Sequence, residues 1–255
     1  MTLPDRKVVL SLGAHPDDAE FLCAGILALL HELGWEVHIA TLAPGDKGTA
    51  VHSRKEISRI RRAEGQKAAD VLNGQYHCLD CEDVYILYDR ETINRATALI
   101  RQVKPTVVIT TSPGDYMVDH EIASRITQTA CFAAGIKNME VETAPFEAVP
   151  CLYYMDPVEM KDNFGRPVTP GLWVDISSVI ETKARMLCCH ASQRDWLLAH
   201  HGIDEYVNTM KEGARQRGSD IGVEFAEGLR QHLGHSFPQS NVLANVLGDL
   251  VHVKK

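Results

Sequence analysis

Short apolar segments alternate with amphipathic helical segments through the first half of the chain. The segment 8–13, VVLSLG, is apolar and rich in β-branched residues, whereas apolar residues recur at helical spacing over 21–33. A strand–helix order that repeats in this way predicts an α/β fold with a mostly parallel sheet and helices on both faces. The pattern predicts strands at Val8–Gly13, Glu36–Leu42, Tyr76–Leu79, Tyr85–Tyr88 and Thr106–Thr111, and helices at Phe21–Leu33, Ser53–Leu72 and Glu91–Val103.

The second half of the chain is less regular. We expect strands at Ala148–Asp156 and Leu172–Ile176, and helices at Ser177–His200 and Glu205–Arg217. No low-complexity linker or repeat separates the halves, so residues 1–255 are expected to form a single domain with a C-terminal elaboration. A chain of this length buries roughly 70–75% of its unfolded surface, so it needs no metal to hold its core together.

Charge and cysteine content limit the partners and the compartment. Acidic residues outnumber basic ones by 34 to 26, which gives a formal net charge of −8 and does not favour nucleic acid as a partner. The apolar run near the N-terminus is too short for a signal peptide or a membrane span, so we expect no membrane association. The 7 cysteines are odd in number and lie mostly in apolar patterns, which is typical of reduced thiols and predicts a cytoplasmic protein.

Histidine and aspartate follow two of the predicted strands at the point where each strand ends. Residues 14–20 read AHPDDAE, and residues 112–121 read SPGDYMVDHE. Ligands of open α/β sheets bind beyond the carboxyl ends of the strands. Imidazole and carboxylate suit zinc, whose catalytic sites keep three protein ligands and one open position. The two segments therefore predict a metal site at this edge of the sheet.

Individual residues can be assigned to such a site. His15, Asp18 and His120 would supply the three ligands, which leaves Asp17 free as general base for a metal-bound water. The alternative interpretation is helix capping, because Asp is among the preferred N-cap residues. Asp17 and Asp18 would then cap one helix, and Asp119 would open the next. The residues alone leave both interpretations open.

The motif AHPDD, together with D-x-x-x-D-H-E at 115–121, resembles the PIG-L/LmbE family of zinc-dependent N-deacetylases. Three further stretches are similar to family sequences: the helix over 61–72, HASQ at 190–193 and AEGLR at 226–230. The resemblance covers nearly the whole chain. It implies a Rossmann-like fold and hydrolysis of an N-acyl group, usually acetyl, from an amino sugar or a sugar-containing molecule.

The resemblance also implies roles for the residues of the two motifs. It places His15, Asp18 and His120 in the metal-ligand positions and Asp17 in the position of the base. The cofactor it implies is zinc, although iron accepts similar ligands.

Two residues outside the motifs match family positions that contact substrate. Arg61 matches an arginine that binds polar groups of the substrate, and Asp83 aligns loosely with an aspartate that follows the third strand. The implied partner is a small sugar-like substrate. The family also often forms homo-oligomers, hexamers included, so a homo-oligomer is expected.

This chain departs from the family at one position of the second motif. Many members carry a histidine that assists the reaction where this chain has Met117, and a methionine cannot transfer a proton. His190, His232 and His235 are the candidate replacements, unless the reaction needs none. His232 and His235 lie in a histidine-rich tail that could instead reach a neighbouring subunit, and each of the three could also be an ordinary packed or exposed histidine.

These observations favour a zinc-dependent hydrolase that removes an N-acetyl group from a substrate of the N-acetylglucosamine type. One alternative is a zinc amidase that cleaves a larger acyl group from a thiol-glycoconjugate. Another is a sugar-binding module of the same fold without catalytic activity. The retention of Asp17 beside a full set of candidate ligands argues against the last alternative.

Overall fold

A computed structural model describes residues 6–194 and 205–254 of the chain. The eight strands of this described part form one sheet, in the order β3-β2-β1-β4-β5-β7-β6-β8 when numbered along the chain. The strands are β1 (Val8–Gly13), β2 (Glu36–Thr41), β3 (Gln75–Cys78), β4 (Val107–Thr110), β5 (Cys151–Met155), β6 (Leu172–Asp175), β7 (Ala226–Gln231) and β8 (Val251–Val253).

The first five strands in the sheet order, β3-β2-β1-β4-β5, are parallel to their neighbours. Strand β7 runs antiparallel to both β5 and β6, and β8 runs antiparallel to β6. The expected α/β class with a mostly parallel sheet is confirmed. The parallel strands come from the N-terminal part of the chain, and the antiparallel strands form the C-terminal elaboration.

Helices cover both faces of the sheet, as predicted. One core contains α2, α3, α6 and α7, and the core on the opposite face contains α4 and α5. The helices are α1 (Asp18–Leu22), α2 (Ala24–Glu32), α3 (Arg54–Asp70), α4 (Arg90–Val103), α5 (Val118–Ala133), α6 (Ile180–Cys188), α7 (Glu205–Ile221) and α8 (Val242–Leu247). None of the helices within the described ranges is long and apolar enough to cross a membrane.

Strand β1 lies inside the sheet and sets the position of the two polar motifs. All six of its residues are buried, with Val9 in one core and Leu10 and Leu12 in the other. A strand covered on both faces is apolar along its whole length, which explains its continuous apolar sequence. Leu12 pairs with Thr110 of β4, so the turns that follow β1 and β4 meet at one edge of the sheet.

Two of the sequence predictions need correction. Tyr85–Tyr88 is not a strand, because the chain turns at Val84 (φ 71°) and the side chains of Tyr85 and Tyr88 are exposed rather than buried in a sheet. The long helix predicted over Ser177–His200 is interrupted, since α6 ends at Cys188 and helical residues resume at 191–194. The last six residues of that prediction lie outside the described residues.

Candidate active site

A cavity of about 560 Å³ opens at the carboxyl ends of the parallel strands. The turn after β1 brings His15, Asp17 and Asp18 into its wall, and the N-terminus of α5 brings His120. Arg61 reaches the cavity from α3. The structure thus brings together both motifs and an arginine that lies more than 40 positions from either.

His15, Asp18 and His120 form a compact buried cluster. Their candidate ligand atoms all lie within 4.8 Å of one another, and Nε2 of His120 is 3.4 Å from Oδ1 of Asp18. Two ligand atoms of a tetrahedral ion lie about 3.3–3.4 Å apart when each is about 2.0–2.1 Å from the metal. The separation and the donor types therefore fit a divalent ion of the zinc class.

Backbone groups fix the orientation of Asp18. Its Oδ2 accepts hydrogen bonds from the N–H groups of Ala14 (2.7 Å) and His15 (3.0 Å). These bonds turn the other oxygen, Oδ1, toward His120. Asp18 begins α1, but its carboxylate bonds backward to the preceding turn and does not cap the helix in the usual way.

Two further carboxylates support the histidines, and the sequence analysis did not assign them this role. Oδ2 of Asp119 lies 3.0 Å from Nε2 of His15 and also accepts the N–H of Val84 (2.7 Å). Oδ1 of Asp115 lies 3.1 Å from Nδ1 of His120. A carboxylate behind a ligating histidine fixes the orientation of its ring and raises its basicity. Asp119 is therefore committed to His15 and makes no cap for α5.

The charges of this cluster favour a cation. Burial lowers the pKa of His120, but Asp18 and Asp115 outweigh it and raise the pKa to about 11. The pKa of His15 is raised by Asp119 and Asp18 against the same effect of burial. Burial raises the pKa of Asp18, yet the two histidines leave it well below its usual range. A site that stabilises positive charge in this way suits a bound divalent ion.

Asp17 occupies a different position from its neighbour Asp18. Its backbone adopts φ 105° at the N-cap of α1, and its side chain makes no capping hydrogen bond. Its Oδ2 accepts a hydrogen bond from Oη of Tyr206 (2.5 Å) and lies 3.3 Å from Nη2 of Arg61. Burial raises the pKa of Asp17, while Arg61 opposes the shift. Burial and the Asp17 carboxylate raise the pKa of Tyr206 well above its usual value, so the phenol keeps its proton and donates it.

Arg61 crosses beneath the loop that follows β2. Its Nη2 donates to the carbonyl of Pro16 (2.6 Å). Gly45 lies against the guanidinium, and a Cβ there would be 2.4 Å from Nη1. Gly45 also has φ +75°, which glycine adopts without strain. Glycine at this position is required both by the turn and by the approach of Arg61.

Asp83 lines the cavity, but its carboxylate is engaged by the same loop. It accepts hydrogen bonds from the N–H groups of Gly45 (3.1 Å) and Lys47 (3.0 Å), and its own N–H donates to Asp46 (2.9 Å). Asp83 therefore holds the loop that forms one wall of the cavity.

The three histidines considered as replacement acids do not reach the cavity within their own chain. His190 is fully buried, with Nε2 at 3.5 Å from Oε2 of Glu20, and does not line the cavity. Because β7 runs antiparallel to β5, it carries His232 to the opposite edge of the sheet, where Nδ1 lies 2.9 Å from Oη of Tyr154. His235 lies beyond it and is exposed. The structure therefore does not bring these candidate residues into the cavity within one chain, and a role for them as acid or at a subunit contact stays a prediction.

Tyr206 is the main site residue that the sequence analysis missed. It lies on α7, 189 positions after Asp17, and lines the cavity with a nearly buried ring. No local motif marks it, since its contact with Asp17 depends on how α7 packs against the other elements.

The first half of the chain matches the model of a known protein family. Residues 10–131 match the PIG-L family model, described as GlcNAc-PI de-N-acetylase. This segment contains the histidine–aspartate cluster and Asp17. The first half of the chain is therefore similar to the PIG-L family, and the relatives below extend the similarity to most of its length.

Relatives of the chain include deacetylases and a hydratase. Diacetylchitobiose deacetylase of Thermococcus kodakarensis is 29% identical over 236 residues, which cover 89% of this chain and 83% of the relative. A 4-oxalmesaconate hydratase of Pseudomonas putida is 26% identical over 242 residues, which cover 88% of this chain and 89% of the relative. The solved N,N'-diacetylchitobiose deacetylase of Pyrococcus horikoshii shares the fold, with a TM-score of 0.77 at 24% identity over 92% of this chain and 88% of its own.

Proposed function

We propose that this protein is a metal-dependent hydrolase that removes an N-acetyl group from an amino sugar or a sugar-containing small molecule. One observation carries the proposal: Asp17 lies in the wall of the same cavity as the cluster of His15, Asp18 and His120. A general base beside three metal-ligating side chains is an arrangement suited to hydrolysis of an amide. The deacetylase relative from T. kodakarensis supports the acetyl group and the sugar.

The metal we propose is zinc, with His15, Asp18 and His120 as its ligands. Iron is the alternative, because it accepts similar ligands. When bound, such an ion polarises the amide carbonyl and lowers the pKa of water at its open position. Asp119 and Asp115 would keep the two imidazole rings oriented toward the ion.

Asp17 is assigned both proton transfers. Its Oδ2 is engaged by Tyr206 and Arg61, whereas Oδ1 has no hydrogen bond to the described residues and can accept a proton from the attacking water. The water oxygen bonds to the acyl carbon, and the C–N bond then breaks to give acetate and a free amine. Asp17 returns the proton to the leaving nitrogen, because Met117 has none to give.

Arg61 and Asp83 are proposed to bind polar groups of the substrate. Both line the cavity. The guanidinium of Arg61 supplies the positive charge beside Asp17 in this wall, with Nη2 at 3.3 Å from Oδ2 of Asp17. Asp83 would act partly through the loop that it holds in place.

We further propose that residues 1–255 work as a single domain in the cytoplasm and assemble into a homo-oligomer, hexamers included. The segment that carries His232 and His235 would then be available to a neighbouring subunit. Light scattering coupled to size-exclusion chromatography measures the assembly, and a monomer would contradict this part of the proposal.

The test of the proposed reaction is acetate release. Metal-free protein is loaded with zinc or iron and incubated with N-acetylglucosamine and N,N'-diacetylchitobiose, and both acetate and new amine are measured. We expect equal amounts of the two products, loss of activity with a chelator and recovery with metal. Cleavage of only bulkier amides would replace the proposal with the larger-acyl amidase, and a chain that binds sugar but never cleaves it would support the non-catalytic module.

A second candidate is addition of water to a carbon–carbon double bond. The hydratase relative covers 88% of this chain at 26% identity, and the same base could activate water for addition to an unsaturated acid. Incubation with 4-oxalmesaconate distinguishes the two, because hydration removes the absorbance of the conjugated double bond and releases no amine. Hydration without acetate release from any N-acetyl sugar would contradict the deacetylase.

A further inference from the structure

Arg230 lies near the end of β7 and links the antiparallel part of the sheet to the turn that follows β4. Its Nη2 donates to Oγ of Ser112 (2.8 Å) and to the carbonyl of Met155 (3.4 Å). Ser112 precedes Arg230 by 118 positions and opens the segment 112–121, which carries His120. One side chain thus joins the ends of β5 and β7 to a segment of the candidate metal site.

The guanidinium of Arg230 is partly withdrawn from water, which strengthens this link. Burial lowers its pKa, and the carboxylate of Asp156 opposes the shift. A charged donor forms stronger hydrogen bonds than a neutral one, and a low local dielectric strengthens them further. The contact with Ser112 therefore holds the two segments together more firmly than an exposed contact would.

The hydroxyl of Ser112 receives this contact in the middle of a tight turn. Ser112 is fully buried, and its Oγ donates to the carbonyl of Gly114 (2.6 Å) and accepts the N–H of Gly114 (3.3 Å). A hydroxyl donates one hydrogen bond and accepts two, so Arg230 fills its last position. Without Arg230, the side chain of Ser112 would keep the bonds within the turn and lose the one that fixes the turn to the sheet.

The turn leads directly to Asp115, which faces the ring of His120. Oδ1 of Asp115 accepts the N–H of Met117 (3.2 Å) and lies 3.1 Å from Nδ1 of His120. The backbone of His120 is held separately, because Oγ1 of Thr111 donates to its carbonyl (2.7 Å). A shift of the turn would therefore change the direction of the imidazole ring while α5 stays in place.

We propose that Arg230 is a positioning residue for the metal site: it fixes the turn at Ser112 and thereby holds Asp115 against Nδ1 of His120. This inference rests on the proposed metal ligands and assigns part of their affinity to the antiparallel strand β7. A carboxylate behind a ligating histidine contributes roughly 10–100-fold to metal affinity or activity. Arg230, which acts through that carboxylate, should contribute about ten-fold, at the lower end of this range.

Variants at both ends of the contact test the link. Arg230→Gln removes the charged donor, and Arg230→Lys keeps the charge and a single donor as the conservative variant. Ser112→Ala removes the acceptor and leaves the arginine in place. Gln231→Ala is the matched control, because Gln231 is the next residue of β7 and its Nε2 bonds to the carbonyls of Pro238 (3.3 Å) and Ser240 (2.9 Å), away from the metal site.

The measurements are zinc affinity, by competition with a chelator, and the visible spectrum of the cobalt-loaded protein. Arg230→Gln should weaken zinc binding by about ten-fold. It should also change the cobalt spectrum, because the ring of His120 turns, while the melting temperature of the metal-free protein stays within about 3 °C. Arg230→Lys should lie between Arg230→Gln and the unaltered protein. Gln231→Ala should change neither the affinity nor the spectrum.

A double variant shows whether Arg230 acts through Ser112. Ser112→Ala should weaken zinc binding at least as much as Arg230→Gln, and adding Arg230→Gln to it should change the affinity by less than about two-fold. If Arg230→Gln fails to fold, Arg230→Lys and Ser112→Ala replace it in the same comparison. An unchanged affinity and spectrum in Arg230→Gln would overturn the inference, and so would losses that add in the double variant.

Metal binding separates this inference from the proposed reaction. If the unaltered protein releases no acetate but its zinc affinity depends on Arg230 through Ser112, the deacetylase proposal fails and the positioning role stands. If acetate is released and metal binding does not respond to Arg230, the positioning role fails and the deacetylase stands. A protein that binds neither zinc nor cobalt overturns both.

Discussion

The two parts of the sheet contribute different things to the cavity. In the parallel part, β1 to β5, the turn after β1 carries His15, Asp17 and Asp18, and β4 is followed by α5 with His120. The helix α7, which packs on the antiparallel part, supplies Tyr206. The parallel part therefore contains the groups assigned to react, together with Arg61 and Asp83, and the C-terminal part contributes Tyr206, which positions the assigned base.

This difference has a simple geometric origin. Parallel strands all end at one edge, so short turns after two adjacent strands bring several reactive side chains together. Antiparallel strands end at alternating edges, and their contribution to that site comes from helices that cross over it. We expect changes in the first group to abolish turnover and changes in the second to reduce it by smaller factors.

The largest expected effect is that of removing a metal ligand. His120→Ala should reduce both metal content and acetate release to background, because two remaining ligands hold zinc poorly. The measurement is elemental analysis of protein purified without chelator, together with the acetate assay. His252→Ala is the matched control, since His252 is exposed on β8, the edge strand farthest from β1 in the sheet order, and it should keep both. Full metal content in His120→Ala would show that the cluster is not the metal site.

The next largest effect should come from the base. Asp17→Asn should lower kcat by about a thousand-fold while the metal stays bound, since loss of a general base costs roughly 10²–10⁴. Asn tolerates the left-handed backbone of this position, so the fold should be unaffected. Asp18→Asn is the comparison variant and should lose metal. The reverse pattern would mean that the roles of the two aspartates are exchanged.

A change in the loop above Arg61 should have an intermediate effect. Gly45→Ala places a Cβ 2.4 Å from the guanidinium at φ +75°, and should cost about 1–3 kcal/mol of stability. It should also lower kcat/KM by roughly ten- to a hundred-fold, as Arg61 moves away from Asp17. Gly34→Ala is a close control, because Gly34 has φ +77° but open space around it. Equal losses of activity in both variants would show that backbone strain alone is responsible.

The smallest effect in this series should be that of Tyr206→Phe, which removes one hydroxyl. We expect kcat to fall about ten-fold with KM nearly unchanged, because the hydrogen bond to Asp17 orients the base and takes no proton. In an Asp17→Asn background the same change should add little, since the group it acts through is gone. A loss as large as that of Asp17→Asn would make Tyr206 a reacting group and remove the distinction between the two parts of the molecule.

The features that could be predicted from sequence are local ones. Strand β1 and the turn after it follow from consecutive residues, because a buried parallel strand is continuously apolar and its end carries the candidate ligands His15 and Asp18. The pairing of this turn with the second motif follows from the general rule for α/β sheets. The long-range contact of Asp18 with His120 could thus be predicted from two short segments of sequence.

The features that could not be predicted depend on contacts between distant parts of the chain. Tyr206 has no neighbouring motif, and Asp115 and Asp119 read equally well as turn or capping residues until the histidines are placed beside them. The direction of β7 decided the position of His232, and no pattern within residues 226–231 distinguishes a parallel from an antiparallel strand. Tyr85–Tyr88 has the composition of a strand but pairs with no strand of the described sheet.

Strand β7 also has a consequence for the order in which the molecule can be completed. It lies between β5 and β6, although it follows both along the chain. Its Glu227 accepts the N–H groups of Gly25 and Ile26 at the start of α2 (2.8 Å each), 202 and 201 positions earlier. A nascent chain that already contains every residue assigned to react thus still lacks the carboxylate that accepts these two N–H groups. It also lacks the strand that joins β5 to β6. We expect activity to appear only after residues 226–231 have left the ribosome.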